Sequence, residues 1–133
     1  MQHGRSDEDW NLMMETARNI MVHTARRQAW ILYSDLNREV SEDAGTAPFD
    51  FSRDTDRSAL STLLVDVVKA DLLHSRFILS SVVKLSASDG PGEGFYTLAE
   101  YLGHLEQDAS RDRKFEFWAE QLKLTHDHYR RRI

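Results

Sequence analysis

The sequence contains no cysteine. This absence excludes a disulfide framework, a thiolate zinc site, an iron–sulfur cluster and a cysteine nucleophile. The sequence also lacks any apolar run approaching the roughly 20 residues that cross a bilayer. Residues 1–10 are polar and acidic, whereas a signal peptide begins with basic residues and continues with apolar ones. We therefore expect a cytoplasmic protein without a membrane-spanning segment.

Positive charge is scarce, since 17 Lys and Arg residues are outnumbered by 22 Asp and Glu residues and the net charge is −5. Affinity for nucleic acid depends mainly on neutralising phosphates. The balance therefore weighs against a dedicated nucleic-acid binder, although a local basic patch can still bind DNA. The length of 133 residues predicts a single domain over residues 1–133, with residues 1–5 disordered.

Both ends of the chain carry helical patterns. Ser6 precedes three acidic residues, which is typical of a helix start because a hydroxyl caps the first amides and acids suit the positive end of the dipole. A helix over residues 7–27 has an apolar stripe that we assign to the core rather than to a ligand groove. The last helix begins at Asp108 or Ser110. Its predicted inner stripe comprises Phe115, Trp118, Ala119, Leu122, His126 and Tyr129.

The middle of the chain predicts two further helices. Residues 28–33 form a short strand candidate, and Ser34 is placed to cap a helix over residues 34–40. A loop over residues 42–56 follows, and a second helix over residues 57–73 has the clearest apolar stripe in the sequence.

Residues 77–85 are the one long run that reads as a strand. The glycine-rich residues 89–94 follow, and Pro91-Gly92 fits the centre of a type II turn, where the second central residue needs a positive φ. Residues 95–102 form a short helix or a strand leading into one, and Gly103 is suited to end it.

The order strand, helix, helix, strand and glycine-rich turn is that of a winged helix, in which a helix pair packs on a small β-hairpin. The predicted fold is therefore α+β and mostly helical, with a winged-helix-like core and added N- and C-terminal helices. A helical bundle crossed by one hairpin is the alternative.

A group of uncharacterised bacterial proteins is similar to residues 25–130. The shared features are residues 31–36, the turn Pro91-Gly92-Glu93-Gly94-Phe95, Leu102-Gly103 and Phe117-Trp118. No established activity accompanies this resemblance, which implies the winged-helix-like architecture. Residues 33–36 also resemble the start of the DNA-binding domain of alkyltransferase-like proteins. The reactive Pro-Cys-His-Arg of true alkyltransferases is replaced by residues 79–82, so the resemblance does not extend to alkyl transfer.

The sequence carries no catalytic signature. It contains no Gly-x-Ser-x-Gly elbow, P-loop or dinucleotide fingerprint. His126 and His128 are two apart on a helix and point away from each other, so we expect no metal site and no cofactor. Glycines surround Glu93 in the turn, and Gly92, Glu93 and Gly94 are therefore of possible functional interest, although a wing or tight turn is the interpretation that we favour.

Two hypotheses of function follow. The first is a non-enzymatic interaction module that contacts a protein partner or a second copy of itself. The second is a nucleic-acid-associated accessory protein of a DNA-processing system. The residues predicted to contact nucleic acid are Arg53, Arg57, Lys69, Arg76 and Lys84, although acidic residues are interleaved with them.

Overall fold

The computed structural model of the chain describes residues 3–71 and 77–130. This part of the chain forms five α-helices and a two-stranded sheet. The elements are α1 (Asp7–Arg26), β1 (Ile31–Leu32), α2 (Tyr33–Ala44), α3 (Asp54–Asp71), β2 (Val83–Lys84), α4 (Glu93–Tyr101) and α5 (Arg111–Tyr129), with a 3₁₀ helix at Leu79–Val82. The predicted class, α+β and mostly helical, is confirmed. Within these residues no helix is both long and apolar enough to span a bilayer.

The helix ends that the sequence marks most clearly are confirmed. The Ser6 hydroxyl accepts a hydrogen bond of 3.1 Å from the Asp9 amide at the start of α1. The Ser110 hydroxyl accepts one of 3.1 Å from the Arg113 amide at the start of α5. Gly103 follows α4 with a φ of +78°, which glycine adopts at little cost. Capping residues in the sequence therefore predict three of the helix boundaries correctly.

The predicted starts of the two middle helices are wrong. Leu32 caps α2 without a side-chain hydrogen bond, because β1 leads directly into the helix and its extended last residue takes the cap position. Ser34 lies within α2, which continues to Ala44. α3 begins at Asp54, three residues before the predicted start, and its predicted end at Leu73 lies outside the described residues.

The single strand predicted over residues 77–85 is also wrong. Its centre is the 3₁₀ helix Leu79–Val82, and only Val83 and Lys84 are extended and paired. Every residue from Phe77 to Val83 is buried. A continuous apolar run indicates burial on all sides, and burial of this kind does not distinguish a strand from a tight helical turn.

The predicted β-hairpin is not formed by the described residues. β2 pairs with β1 in parallel, with Ile31 opposite Val83. Gly92 has a φ of −73° rather than the positive φ of a type II turn, and it is the N-cap of α4. The glycine-rich segment therefore starts a helix instead of joining two strands, and the wing of the winged-helix prediction is wrong.

Two clusters of buried side chains form the core. The first joins α1, α2, α3 and the 3₁₀ helix, and its fully enclosed members include Met13, Met21, Leu36, Leu63 and Val82. The second joins α4 and α5 and is largely aromatic. Its members include Phe95, Tyr96, Phe117 and Trp118.

A buried polar network attaches the 3₁₀ helix to α5. The Ile78 amide donates to Oε1 of Gln121 at 2.9 Å, and the Ser81 and Thr125 hydroxyls lie 3.0 Å apart. Nε1 of Trp118 donates to the Ser81 carbonyl at 2.8 Å. These bonds satisfy polar groups that the core encloses, because buried donors and acceptors without partners are costly.

The inner face of α5 differs from the predicted stripe. Phe115 is 57% exposed, whereas Phe117, Gln121 and Thr125 are buried. Trp118 is also buried, as predicted, so two of the four buried residues of α5 are polar and apolar spacing predicted only part of the inner face.

The prediction of disorder for residues 1–5 falls partly outside the described residues. Within them, Arg5 donates to the Ala47 carbonyl at 2.7 Å and its guanidinium lies 4.7 Å from the centroid of the Phe49 ring. Phe49 is buried in the first cluster, so it holds the loop between α2 and α3 against the core.

Candidate functional site

Two hollows adjoin at Gly94 and form what we call the α3–α4 groove. The first hollow has a volume of about 430 Å³ and the second about 330 Å³. Side chains from α2, α3, the segment after β2 and α4 line the first hollow, and they include Tyr33, Phe51, Arg57, Ser61, Leu85 and Glu93. The second hollow is lined by Val65, Lys69, Gly94, Thr97, Leu98 and Tyr101.

The parallel sheet places two side chains at the first hollow. Tyr33 directly follows β1 and Leu85 directly follows β2, so the pairing of the strands brings both to the same place. The Leu85 amide donates to the Gly90 carbonyl at 3.0 Å and closes the connection that leads back to α4. A Cβ placed on Gly92 would lie 3.5 Å from Oη of Tyr33 and 3.6 Å from Cδ2 of Leu85. The glycine therefore keeps the first hollow open.

α3 and α4 come close together between the two hollows. A Cβ placed on Gly94 would lie 3.5 Å from Cβ of Ser61 and 3.6 Å from its hydroxyl oxygen. Phe95, the next residue, is buried against Phe117 and holds the first turn of α4 in this position. The groove is thus two hollows on either side of a narrow crossing that carries no side chain from α4.

Tyr33 is the buried polar group of the first hollow. Burial raises the pKa of its phenol above the ordinary value, and a hydrogen bond with the Ser61 side chain offsets part of the rise. The phenol is therefore neutral at physiological pH and offers a hydroxyl rather than a charge.

Cations lie at the two ends of the groove. Arg57 donates to the Phe51 carbonyl at 3.2 Å and forms an ion pair with Asp54. Nζ of Lys69 lies 5.3 Å from the centroid of the Tyr101 ring, within the range of a cation–π contact.

The acidic residue of the groove, Glu93, is at its rim. Its side chain is 84% exposed, and one carboxylate oxygen lies 3.9 Å from Nζ of Lys114. Opposite charge from α5 thus partly balances the carboxylate.

The structure places the predicted functional residues in three locations. Arg57, Lys69 and the segment Gly92–Gly94 line the α3–α4 groove. Arg53 is exposed in the loop before α3 and lines neither hollow. Lys84 lies apart from the groove. Arg76 lies outside the described residues.

Among the described residues that were predicted to contact nucleic acid, Lys84 has the most contacts within the protein itself. Its Nζ donates to the Ala87 carbonyl at 3.0 Å and lies 4.3 Å from the Trp30 ring centroid and 5.7 Å from that of Trp118. The ammonium is therefore held between two indoles and the turn that follows β2.

Sequence reasoning did not single out Leu85 and Tyr101 as site residues. Tyr101 is 77% exposed and Leu85 is 54% exposed, the former being more exposed than any other large apolar residue in the described part of the chain. The sequence places Leu85 at the end of the strand predicted over residues 77–85, and Tyr101 in the segment 95–102, predicted as a short helix or a strand leading into one. Only the packing of α3 against α4 reveals that both border one groove.

A second depression, the α1–α2 groove, has a volume of about 720 Å³. Its floor contains Ile20 and Ile31, and its rim is charged. His23 and Arg27 stand on the α1 side, and the carboxylates on the α2 side are Asp35, Glu39 and Asp43. This groove is larger than either hollow and more polar.

Among residues 3–71 and 77–130, no group of three or more histidine or acidic residues is placed to hold a metal ion. Comparison of the chain with protein families, with characterised proteins and with solved structures finds no significant match. The functional argument therefore depends on the geometry and chemistry of the grooves.

Proposed function

We propose that this protein is a non-enzymatic interaction module and that a protein partner docks in the α3–α4 groove. The observation that carries the proposal is the apolar character of the groove next to exposed large side chains. Leu85 and Phe51 border the first hollow, and Tyr101 and Val65 border the second. Phe51 and Val65 are only partly buried. Exposed apolar side chains that share one concave surface are typical of protein-interaction sites.

The polar groups of the groove suit binding better than catalysis. Because burial raises the pKa of Tyr33, the phenol stays protonated at neutral pH and is a poor general base. Arg57 is paired with Asp54, and Glu93 is exposed beside Lys114. Each group can hydrogen-bond to or orient a partner without a proton transfer.

Site-specific photocrosslinking in the native cells tests the proposal. A photoreactive phenylalanine at position 97, in the second hollow, should yield one discrete crosslinked protein. The same group at position 120 should not, because Glu120 is exposed on α5 and lines neither groove. Tyr101→Ala should reduce the crosslinking yield by about tenfold or more, whereas Leu124→Ala should not, since Leu124 is 50% exposed on α5 away from the groove.

Equal crosslinking at positions 97 and 120, or none at either, would contradict docking in this groove. Binding of duplex DNA at low salt that Arg57→Ala and Lys84→Ala both weaken would instead favour the nucleic-acid alternative predicted from the sequence. The proposal expects no such binding, because the protein is acidic overall and Lys84 already contacts two indoles and a carbonyl.

A further inference from the structure

We infer that the occupant of the α3–α4 groove is an extended acidic segment of the partner, with one bulky apolar side chain in each hollow. This inference rests on the proposed function, since it names the chemistry of the partner at the same site. Three features carry it: the spacing of the two hollows, the bare crossing between them and the cations at the two ends.

The two hollows are spaced along α3. Arg57 and Ser61 line the first, and Val65 and Lys69 line the second. Equivalent residues are thus eight positions apart on one helix, or about 12 Å at the helical rise. In an extended chain, side chains four residues apart point to the same side and are separated by about 13 Å. An extended segment can therefore fill both hollows with two side chains that are four residues apart.

The crossing at Gly94 favours an extended occupant over a helical one. Gly94 contributes no side chain where α3 and α4 are closest, and the nearest atoms to a Cβ there belong to Ser61. A glycine at such a point permits close approach of another backbone. An extended strand is much narrower than a helix, whose diameter with side chains is about 10 Å. A strand can thus lie over the crossing while its side chains enter the hollows on both sides.

The charges at the ends of the groove select an acidic segment. Arg57 and Lys69 are twelve residues apart on α3, or about 18 Å. Each is exposed, and each can reach a carboxylate just outside the apolar side chain of its own hollow. The charged side chains that line the two hollows are Arg57, Lys69 and Glu93, so the lining is net positive although the protein as a whole carries −5. Arg57 would exchange its ion pair with the exposed Asp54 for one with the segment. Complementary charge fixes the register of a docked segment and excludes basic competitors.

A labelled nonapeptide tests the inference. The probe has two leucines four residues apart and a glutamate two residues outside each leucine, so that all four side chains point to the same side, and its analogue has lysine in place of both glutamates. Fluorescence anisotropy should show that the glutamate peptide binds at least about tenfold more tightly than the lysine analogue. The glutamates attract Arg57 and Lys69, whereas the lysines are repelled by them. The double variant Arg57→Glu with Lys69→Glu should reverse the preference.

The matched control is the double variant Arg111→Glu with Lys123→Glu, which makes the same change of net charge on exposed residues of α5. It should keep the preference for the glutamate peptide. Gly94→Ala should fold at least as stably as the original, because alanine favours a helix and its Cβ makes only ordinary contact with Ser61. It should nevertheless weaken binding of the glutamate peptide about fivefold or more, because the added methyl group occupies space at the crossing that the peptide backbone needs.

Equal binding of the two peptides, or binding of neither, would overturn the inference. If crosslinking at position 97 still captured a partner, the proposed docking function would stand and only the chemistry of the segment would be wrong. If both experiments failed, the docking function would fail as well. Unchanged peptide binding by Gly94→Ala would overturn the extended crossing over Gly94.

Discussion

The α1–α2 groove and the α3–α4 groove are both clefts between helices, but they differ in how their walls are made. Charged side chains stand on both sides of the α1–α2 groove, with Arg27 on the α1 side and Arg38 beside three carboxylates on the α2 side. The α3–α4 groove has apolar walls, two glycines at its narrowest parts and a cation at each end. Volume does not separate them, because the two hollows together are about as large as the α1–α2 groove.

Under the proposed function, exposed apolar area rather than volume distinguishes the docking surface. Water solvates the charged walls of the α1–α2 groove well, and displacing that water is costly. Apolar walls gain free energy when a partner covers them.

Removing the anchor of α4 should have the largest effect. Phe95 is 5% exposed and lies in the aromatic cluster that holds one wall of the α3–α4 groove. Phe95→Ala should lower the free energy of unfolding by about 3–5 kcal/mol through lost contacts and a cavity. Urea denaturation measures the loss. Phe115→Ala is the control, since Phe115 is mostly exposed and its loss should cost less than about 1 kcal/mol. Equal losses would show that α4 is not held by this cluster.

The polar network between the 3₁₀ helix and α5 should contribute less to the free energy of unfolding than Phe95 does. Thr125→Val preserves shape but removes the hydroxyl that donates to the Gln121 carbonyl at 2.8 Å and lies 3.0 Å from the Ser81 hydroxyl. We expect a loss of about 1–2 kcal/mol, because the Ser81 hydroxyl is left without its partner in the core. Chemical denaturation again provides the measurement, with Thr97→Val on exposed α4 surface as the matched substitution. A Thr125→Val protein as stable as Thr97→Val would mean that the network does not stabilise the fold.

Each groove has one exposed aromatic residue, and the two can be compared directly. Tyr101 is 77% exposed at the α3–α4 groove, and Trp30 is 43% exposed at the α1–α2 groove. Tyr101→Ala should reduce crosslinking at position 97 by about tenfold or more, as expected for the loss of one large apolar side chain at an interface. Trp30→Ala should leave the yield unchanged. The reverse result would identify the α1–α2 groove as the docking surface.

The smallest expected effect appears at alkaline pH and again separates the grooves. Burial raises the pKa of Tyr33 in the α3–α4 groove, whereas no tyrosine lines the α1–α2 groove. The folded state therefore holds the phenolic proton more tightly than the unfolded state, whose pKa is about 10. Stability from this group is complete below pH 10 and is lost as the pH rises through the folded pKa.

Absorbance at 295 nm should show phenols that ionise at a higher pH in the folded protein than in the unfolded chain. Burial also raises the pKa values of Tyr96 and Tyr129, so three phenols contribute. Tyr33→Phe should remove one of the three late phenols and reduce the loss of stability above pH 10. If Tyr33→Phe instead loses its phenol from the part of the curve near pH 10, Tyr33 is not shielded from solvent as described.

Local signals predicted a good part of the fold. The caps Ser6 and Ser110, the acids that follow Ser6 and the glycine at position 103 set helix ends through interactions within one turn of chain. Such interactions are visible in the sequence because their partners are three or four residues away.

The failures involve partners that are distant in sequence. The parallel pairing of Ile31 with Val83 has no local signature, so the strand candidate at residues 77–85 was given a hairpin partner instead. Gln121 and Thr125 are polar and read as surface residues, although they bond to the 3₁₀ helix from within the core. Arg57 and the Gly92–Gly94 segment were each of interest separately. Their meeting at one groove depends on the packing of α3 against α4.

The parallel pairing of β1 with β2 has a consequence for how the chain reaches its native state. Contacts between residues about fifty positions apart form late, because closing so long a loop costs entropy that local helices do not pay. Tyr33 and Leu85 meet only when these strands have joined. A partly folded chain can therefore contain its helices and still lack the first hollow. A partner that docks in the first hollow, as we propose, would therefore bind completed molecules and not such folding intermediates.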